Sequence, residues 1–319
     1  GGRGVSPTRA VHPVGENPPS GIAVQYWLKS PAKTVTLDFM DTKGTVIHSY
    51  STVPSAQPEE QGGGRGRGRG GFGGPAKPEN KAGVNTFTGW DMRYPDATSF
   101  RGMVLWAAGT TGPMAPPGTY RVRLTVDGNV VGTQSFKLLA DPRIPNATQA
   151  DYDAQFALAM KVRDKFSATN DAVKTIRYLF YQLDERAKSV PAVEQGAFSA
   201  AVTPLRDSLQ SVEDSLYQSQ SHAGEDPLNY PIRLNNRIGA LMGVVSSAWG
   251  RPTKQSYEVY DVLNRLIDVQ MTRMHAALKG VDRVNAVLKS SGQEPVVVKA
   301  EEVPGSAGGV VEGEFDDGN

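Results

Sequence analysis

The chain has 319 residues, and 39% of them are hydrophobic, so it is long enough to bury a sizeable core in one large or two smaller domains. Its formal net charge of +1 gives no overall bias toward nucleic acids or anionic membranes. The absence of cysteine excludes disulfides and thiolate-ligated metals. No apolar run is as long as the roughly 18 residues that a membrane-spanning helix needs.

The first segment, residues 1–20, shows neither the alternation of a strand nor the periodicity of a helix. It also lacks an initiator methionine and the pattern of a signal peptide. We therefore predict a flexible N-terminal segment, and we expect the chain to be a piece of a longer polypeptide.

Residues 21–140 contain short runs with the period of β-strands. In one of them Val35, Leu37 and Phe39 alternate with polar residues. In another, Asp127 and Gly128 separate two alternating runs, which is typical of a tight hairpin. Seven runs together predict an antiparallel β-sandwich of immunoglobulin-like type: IAVQYWL, TVTLDFM, TVIHSYST, VNTFTGW, MVLWAA, TYRVRLTV and NVVGTQSFKL.

An insert over residues 55–82 interrupts the strand runs, and its centre reads GGGRGRGRGGFGG. Its arginines could contact phosphates and its phenylalanine could stack on a base, so the candidate binding residues are Arg65, Arg67, Arg69 and Phe72. However, the insert has five basic and three acidic residues, and so small an excess of charge neutralises few phosphates. Long loops between strands also cost little closure entropy. The composition favours a disordered loop and leaves nucleic-acid binding as an alternative.

The periodicity changes after residues 141–147, DPRIPNA, which we predict to be a hinge. Over residues 148–291 apolar residues recur every three or four positions, which predicts four helices, the first of about 40 residues and the fourth reaching Leu288. Short connections favour antiparallel neighbours. The predicted fold class is therefore α+β, with an up-down four-helix bundle after the sandwich. Residues 292–319 are rich in acidic residues and glycine, and we predict a disordered tail.

Histidines and carboxylates are the residue types that would hold a metal or a cofactor in a chain without cysteine. The four histidines lie in different segments, and none has a second ligand at metal-binding spacing: His12, His48, His222 and His275. We therefore expect no metal and no cofactor.

Glycosidases use two carboxylates, so aspartates that are close in sequence are candidates for catalysis. The candidate pairs are Asp38 with Asp41, and Asp91 with Asp96. Their strand and turn positions favour structural roles, and we assign no catalytic residue. The segment WDMRYPD instead predicts a structural corner, in which Trp90 enters the core, Asp91 binds backbone amides or Arg93, and Arg93 pairs with an acid.

Three long stretches resemble a known family: GIAVQYWLKSPAKTVTLDFMDTKGTVIHSYS, GVNTFTGWDMRYPDATSFRGMVLWAAGTTGPMAPPGTYRVRLTVDG and NNRIGALMGVVSSAWGRPTKQSYEVYDVLNRLID. They are similar to the C-terminal region of large bacterial sortilin-like β-propeller proteins with BNR/Asp-box repeats, which are often labelled glycosyl hydrolases. The resemblance covers the chain from Gly21 to about Ser291. The propeller itself, with its S-x-D-x-G-x-T-W repeats, is not in this chain.

The resemblance implies a non-catalytic scaffold or interaction module of a secreted or surface protein. It implies a location in the periplasm, on the cell surface or outside the cell. The expected partner is the preceding propeller of the same parent protein or another surface protein. Two alternatives stay open: a fragment of a glycoside hydrolase whose active site lies in the missing propeller, and a nucleic-acid binder that acts through the Gly/Arg insert.

Overall fold

The computed structural model describes residues 21–53, 76–305 and 310–313 of the chain. Within them the fold is α+β, because strands come first and helices follow. The strands are β1 Val24–Leu28, β2 Val35–Met40, β3 Val46–Ser51, β4 Gly83–Phe87, β5 Val104–Trp106, β6 Gly118–Val126, β7 Asn129–Leu138 and β8 Val311–Gly313. The α-helices are α1 Gln149–Ala187, α2 Gln195–Leu216, α3 Leu234–Ser246, α4 Lys254–Leu278 and α5 Val281–Ser290.

Six of the described strands form two antiparallel sheets. One sheet pairs β1 with β4, and the other has the strand order β3-β2-β6-β7. The alternation in β2 buries Val35, Leu37 and Phe39 completely. The predicted hairpin is confirmed between β6 and β7, where Asp127 and Gly128 have φ angles of 48° and 81°. Two successive positive φ angles are what the preferred two-residue hairpin turn requires.

The two sheets share a core that is rich in aromatic side chains. Phe39 and Trp90 are fully buried, and their ring centroids lie 4.8 Å apart. Tyr120 and Phe136 pack on Trp90 at 5.8 and 6.1 Å. Because each such side chain buries about 150–250 Å² of surface, this cluster is a main source of stability for the sheets.

The run MVLWAA, which the sequence predicts to be one of the seven sandwich strands, does not join either antiparallel sheet. It contains β5, which pairs in parallel with β8. Met103 and Leu105 are fully buried in the core that the helices form. The prediction was wrong for this strand because a short, wholly apolar run has no periodicity that tells one core from the other.

The helix boundaries agree with the sequence pattern at the start of the helical part and differ at its end. Helix α1 has 39 residues, and the Asp151 carboxylate accepts a hydrogen bond from the Thr148 backbone N–H at 3.0 Å. Helix α2 continues across Pro204 without interruption. The predicted fourth helix is divided into α4 and α5 at Gly280, since glycine is a poor helix former.

Helix α2 runs antiparallel to the C-terminal half of α1. An ion pair joins Arg206 on α2 to Asp184 on α1, with 2.5 Å between Nη2 and Oδ1. A second pair joins Arg177 on α1 to Glu213 on α2, with 2.6 Å between Nε and Oε1. As numbers rise along α2 they fall along α1, so the two helices have opposite directions.

Helix α3 also runs antiparallel to α1, but along its N-terminal half. Asn235 contacts Asn170 at 3.4 Å, and the side chain of Gln155 donates a hydrogen bond to the Val245 carbonyl at 2.7 Å. Helices α2 and α3 therefore lie in series along one side of α1. This differs from the predicted up-down order, in which successive helices alternate in direction. The connection over residues 217–233 is long enough to pass from α2 to α3 without a reversal.

The segment after α5 packs on the helices, in contrast to the predicted disorder from residue 292 onward. Val296 is buried, and its backbone N–H binds Asn285 Oδ1 at 2.8 Å. The Gln182 side chain binds both the N–H and the carbonyl of Val297 at 2.8 Å. The acidic composition predicted disorder, but the apolar side chain of Val296 enters the helical core and side chains of the helices bind the backbone beside it. Residues 306–309 and 314–319 lie outside the described residues.

We expect Leu105→Ala to destabilise the helices and not only the β-strands. The fully buried side chain packs in the helical core, and such truncations cost about 2–5 kcal/mol. Denaturant unfolding followed by far-UV circular dichroism should show an earlier loss of helical signal. Leu139→Ala, at a leucine that is 83% exposed, is the matched control and should change little. An unchanged helical transition in Leu105→Ala would show that the helices fold independently of β5.

Candidate functional site at the junction of sheets and helices

The segment WDMRYPD forms a corner next to the aromatic core. Trp90 Nε1 donates a hydrogen bond to the Arg93 carbonyl at 2.9 Å, and the Asp91 carboxylate accepts one from the Arg93 N–H at 3.1 Å. Between them Met92 has a φ of 66°, a strained value for a residue with a side chain. The Asp91 carboxylate also lies 3.9 Å from Arg93 Nε. Trp90, Asp91 and Arg93 are thus joined to one another by hydrogen bonds within this corner.

Gly112 holds this corner in place. Arg93 Nη1 donates to the Gly112 carbonyl at 2.9 Å, and the Gly112 N–H donates to Asp96 Oδ1 at 2.8 Å. A Cβ atom on Gly112 would lie 1.9 Å from the Tyr94 carbonyl oxygen and 2.6 Å from that of Pro95. Only glycine allows so close an approach of two backbone segments.

Asp96 has an unusual environment for a carboxylate. Burial raises its pKa, the hydrogen bond from the Gly112 N–H lowers it by less, and the negative charge of Asp91 raises it further. The net shift is upward from the ordinary value. The folded protein therefore favours the protonated form of Asp96 more than the unfolded chain does.

The corner continues into an extended segment that binds α1. The Thr98 N–H donates to Ser167 Oγ at 3.0 Å, and Asn170 Nδ2 donates to the Thr98 carbonyl at 2.7 Å. The Arg163 guanidinium also donates to the Pro95 carbonyl at 2.9 Å. Polar side chains of α1 thus take the place of a neighbouring strand.

The same segment binds α3 and the end of α2 through buried polar side chains. The Asn236 amide binds both the N–H and the carbonyl of Trp106, at 2.7 and 2.8 Å. The Tyr217 hydroxyl accepts from the Val104 N–H at 3.1 Å and donates to the Gly102 carbonyl at 3.2 Å. The sequence did not predict these contacts, although two consecutive asparagines at the start of a helix, Asn235 and Asn236, were a signal for them.

A pocket with a volume of about 80 Å³ lies where the corner meets α1 and α3. Its walls come from the segment near Arg93 and from the helices. The exposed lining residues are Ser246 and Trp249, so the pocket opens near the end of α3. The lining residues with polar groups are Arg93, Tyr152, Gln155, Ser246 and Trp249, and the apolar ones include Met114 and Phe156.

Tyr152 is the least satisfied polar group in this pocket. The residue is 4% exposed, and its buried hydroxyl has no hydrogen-bond partner among the residues that the structure describes. By contrast, the neighbouring Gln155 amide donates to the Val245 and Ala248 carbonyls at 2.7 and 2.5 Å. A buried hydroxyl without a partner costs about 1–3 kcal/mol, and a ligand with an acceptor atom would remove that cost.

A second surface feature is an aliphatic stripe on α4, which consists of Val259, Val262, Leu266 and Val269. The spacing of three, four and three residues places these side chains on one face of the helix. Each of them is between 45% and 55% exposed. The core-facing residues of α4 are different ones, among them Leu263 and Ile267.

The candidate nucleic-acid residues Arg65, Arg67, Arg69 and Phe72 lie outside the described residues. The end of the predicted insert, residues 76–82, is described: Asn80 Nδ2 donates to the Ala32 carbonyl at 2.9 Å, so Asn80 binds the connection between β1 and β2. In the described ranges no three His, Cys, Asp or Glu side chains come close enough to hold a metal ion. None of the helices described is long and apolar enough to cross a bilayer.

Searches of protein-family models, of curated proteins and of solved structures found no match to this chain.

We expect Gly112→Ala to destabilise the protein by roughly 2 kcal/mol or more, because the new Cβ would clash with two carbonyl oxygens of the backbone. Gly132→Ala is the matched control, since a Cβ there would meet nothing within 4 Å. The control should be neutral or stabilising by up to about 1 kcal/mol. Thermal unfolding measures both variants, and equal melting temperatures would contradict the role given to Gly112.

We expect the free energy of unfolding of the Asp96→Asn variant to increase, relative to that of the parent chain, as the pH rises from about 4 to about 7. The pKa of Asp96 is raised by burial, so its contribution to stability is fully present when it is protonated and is lost as it ionises in the folded state. Asparagine keeps an oxygen for the Gly112 N–H and does not ionise. The free energy of unfolding of both proteins across this range measures the effect, which exposed Asp207→Asn should not reproduce.

Proposed function

We propose that the chain is a non-catalytic scaffold and interaction module from the C-terminal region of a secreted or cell-surface β-propeller protein. The three stretches that resemble sortilin-like propeller proteins support this proposal. These stretches include strands of both sheets, the corner and the α3–α4 region, so the resemblance extends over several elements of the fold and does not rest on one isolated motif.

For the β part we propose an immunoglobulin-like sandwich. The order β3-β2-β6-β7 opposite β1-β4 fits such a sandwich if β2, β6 and β7 are its C, F and G strands and β1 and β4 are its B and E strands. Tyr120, near the start of β6, donates its hydroxyl to the Pro116 carbonyl at 2.9 Å. This hydrogen bond has the form of the tyrosine corner of immunoglobulin-like domains.

For the helical part we propose a bundle in which α2 and α3 together occupy one position beside α1. Helix α4 runs parallel to α1, because Arg251, just before α4, pairs with Asp151 at 2.9 Å and Asp268 pairs with Lys165 at 2.7 Å. The helices therefore form a support on which the outer face of α4 is exposed.

The observation that carries the interaction proposal is the aliphatic stripe on α4. Half-exposed valine and leucine side chains at helical spacing offer one continuous apolar face. Single exposed apolar residues need no explanation, but a row of four on one helix is typical of a contact surface. We assign this surface to contact with the preceding propeller of the same parent protein.

A photo-crosslinking amino acid at position 266 of the native parent protein tests this assignment. We expect it to crosslink to residues that precede Gly1 in the same polypeptide. The same amino acid at position 193 is the control, because Val193 is 89% exposed and belongs to the connection between α1 and α2 and not to α4. Intact mass and N-terminal sequencing of the native protein establish beforehand whether a propeller precedes Gly1. Equal crosslinking from both positions, or none from position 266, would contradict the proposal.

A further inference from the structure

We propose that the pocket between Arg93, Tyr152 and Trp249 binds the carboxylate group of a small organic acid with an aromatic or aliphatic body. This inference does not depend on the α4 contact, because the pocket lies between the corner and helices α1 and α3. A larger pocket of about 230 Å³ between β1 and β7 carries no such inference, since no charged side chain lines it.

The size of the pocket limits the ligand. Its volume of about 80 Å³ is several times larger than the space that one water molecule needs, which is about 10–15 Å³. It is well below the about 300–1,000 Å³ of pockets that enclose drug-sized ligands. The pocket therefore has room for a carboxylate with one or two carbon atoms, while the rest of the ligand lies at its mouth.

Arg93 supplies the charge that selects an anion. Within the described residues its guanidinium makes one hydrogen bond, from Nη1 to the Gly112 carbonyl, and lies 3.9 Å from the Asp91 carboxylate. Since a guanidinium has five N–H donors in a planar fork, several remain for a ligand. A planar carboxylate matches that fork better than any neutral group does. The Gly112 contact holds Arg93 in place before a ligand arrives.

Tyr152 supplies a second donor. Its hydroxyl is buried without a partner, on the helix that faces Arg93 across the pocket. The hydroxyl is closed to solvent, so a ligand reaches it only if a neighbouring side chain moves. Trp249 is the neighbour that can move, because it is 44% exposed and its ring packs on Tyr152 with the centroids 6.0 Å apart.

Trp249 also supplies an apolar platform at the mouth of the pocket. An aromatic or aliphatic body that follows the carboxylate would stack on its indole ring while Met114 and Phe156 cover the other side. The site thus combines one cation, one unused hydroxyl and an aromatic wall, a combination that is typical of small-ligand sites between structural units.

Titration of the purified chain with phenylacetate by isothermal calorimetry tests the proposal, with phenylacetamide as the neutral isostere. We expect saturable binding of phenylacetate and at least about tenfold weaker binding of the amide, because the amide forfeits the charge-assisted hydrogen bonds. N-acetylphenylalanine distinguishes the two sources of the acid: tighter binding than phenylacetate indicates a peptide C-terminus, and weaker binding indicates a free small acid.

Variants locate the binding in this pocket. Tyr152→Phe should weaken phenylacetate binding by about threefold to tenfold without lowering the melting temperature, since it removes a hydroxyl that has no partner in the fold. Tyr257→Phe is the matched control on exposed α4 and should leave the affinity unchanged. Trp249→Ala should also weaken binding, whereas Trp27→Ala, at a tryptophan that is 64% exposed on β1, should not.

Two results would overturn the proposal. One is the absence of saturable binding of phenylacetate, or equal affinities for phenylacetate and phenylacetamide. The other is an affinity that Tyr152→Phe and Trp249→Ala leave unchanged in chains that remain folded.

Discussion

A buried backbone that leaves the main sheets must still find hydrogen-bond partners, and this requirement joins the two parts of the protein. The extended segment from Asp96 to Trp106 leaves the sheets and enters the helical core. Its N–H and carbonyl groups bind the side chains of Ser167, Asn170, Asn236 and Tyr217. Each of these bonds fixes the position of the segment relative to one helix, so the helices and the sheets cannot shift independently without leaving buried polar groups unsatisfied.

The corner at Trp90 transmits this coupling to the sheets. Trp90 belongs to the aromatic core, and its indole N–H holds the Arg93 carbonyl. The Arg93 guanidinium donates to the Gly112 carbonyl, and the Gly112 N–H donates to the Asp96 carboxylate at the start of the extended segment. One continuous chain of hydrogen bonds therefore runs from the sheet core to the helices. It also places the Arg93 side chain at the wall of the small pocket.

The pocket and the aliphatic stripe of α4 share one short connection. Trp249 lies in the turn over residues 247–253, which joins α3 to α4, and Arg251 in the same turn binds Asp151 on α1. A ligand that moves Trp249 would act on the turn from which α4 begins. This arrangement places the proposed ligand site and the proposed contact surface on adjoining elements of the helical part.

The sequence by itself determined those features that depend on local chemistry. Alternation predicted that Val35, Leu37 and Phe39 face a core, Asp127-Gly128 predicted the hairpin, and the spacing of apolar residues predicted α1. In each case the residues that carry the signal lie within a few positions of one another, so short-range geometry decides the outcome.

Only the tertiary structure decided which core receives Met103 and Leu105, the serial placement of α2 and α3, and the packing of Val296 on the helices. It also decided the candidate site, because Arg93, Tyr152 and Trp249 are far apart in the sequence and meet in one pocket. The periodicity of apolar residues shows that one face of a helix or strand is apolar, but it does not show which other element packs against that face. That choice depends on contacts between distant segments, and here it is made by asparagine and tyrosine side chains that have no periodic signal.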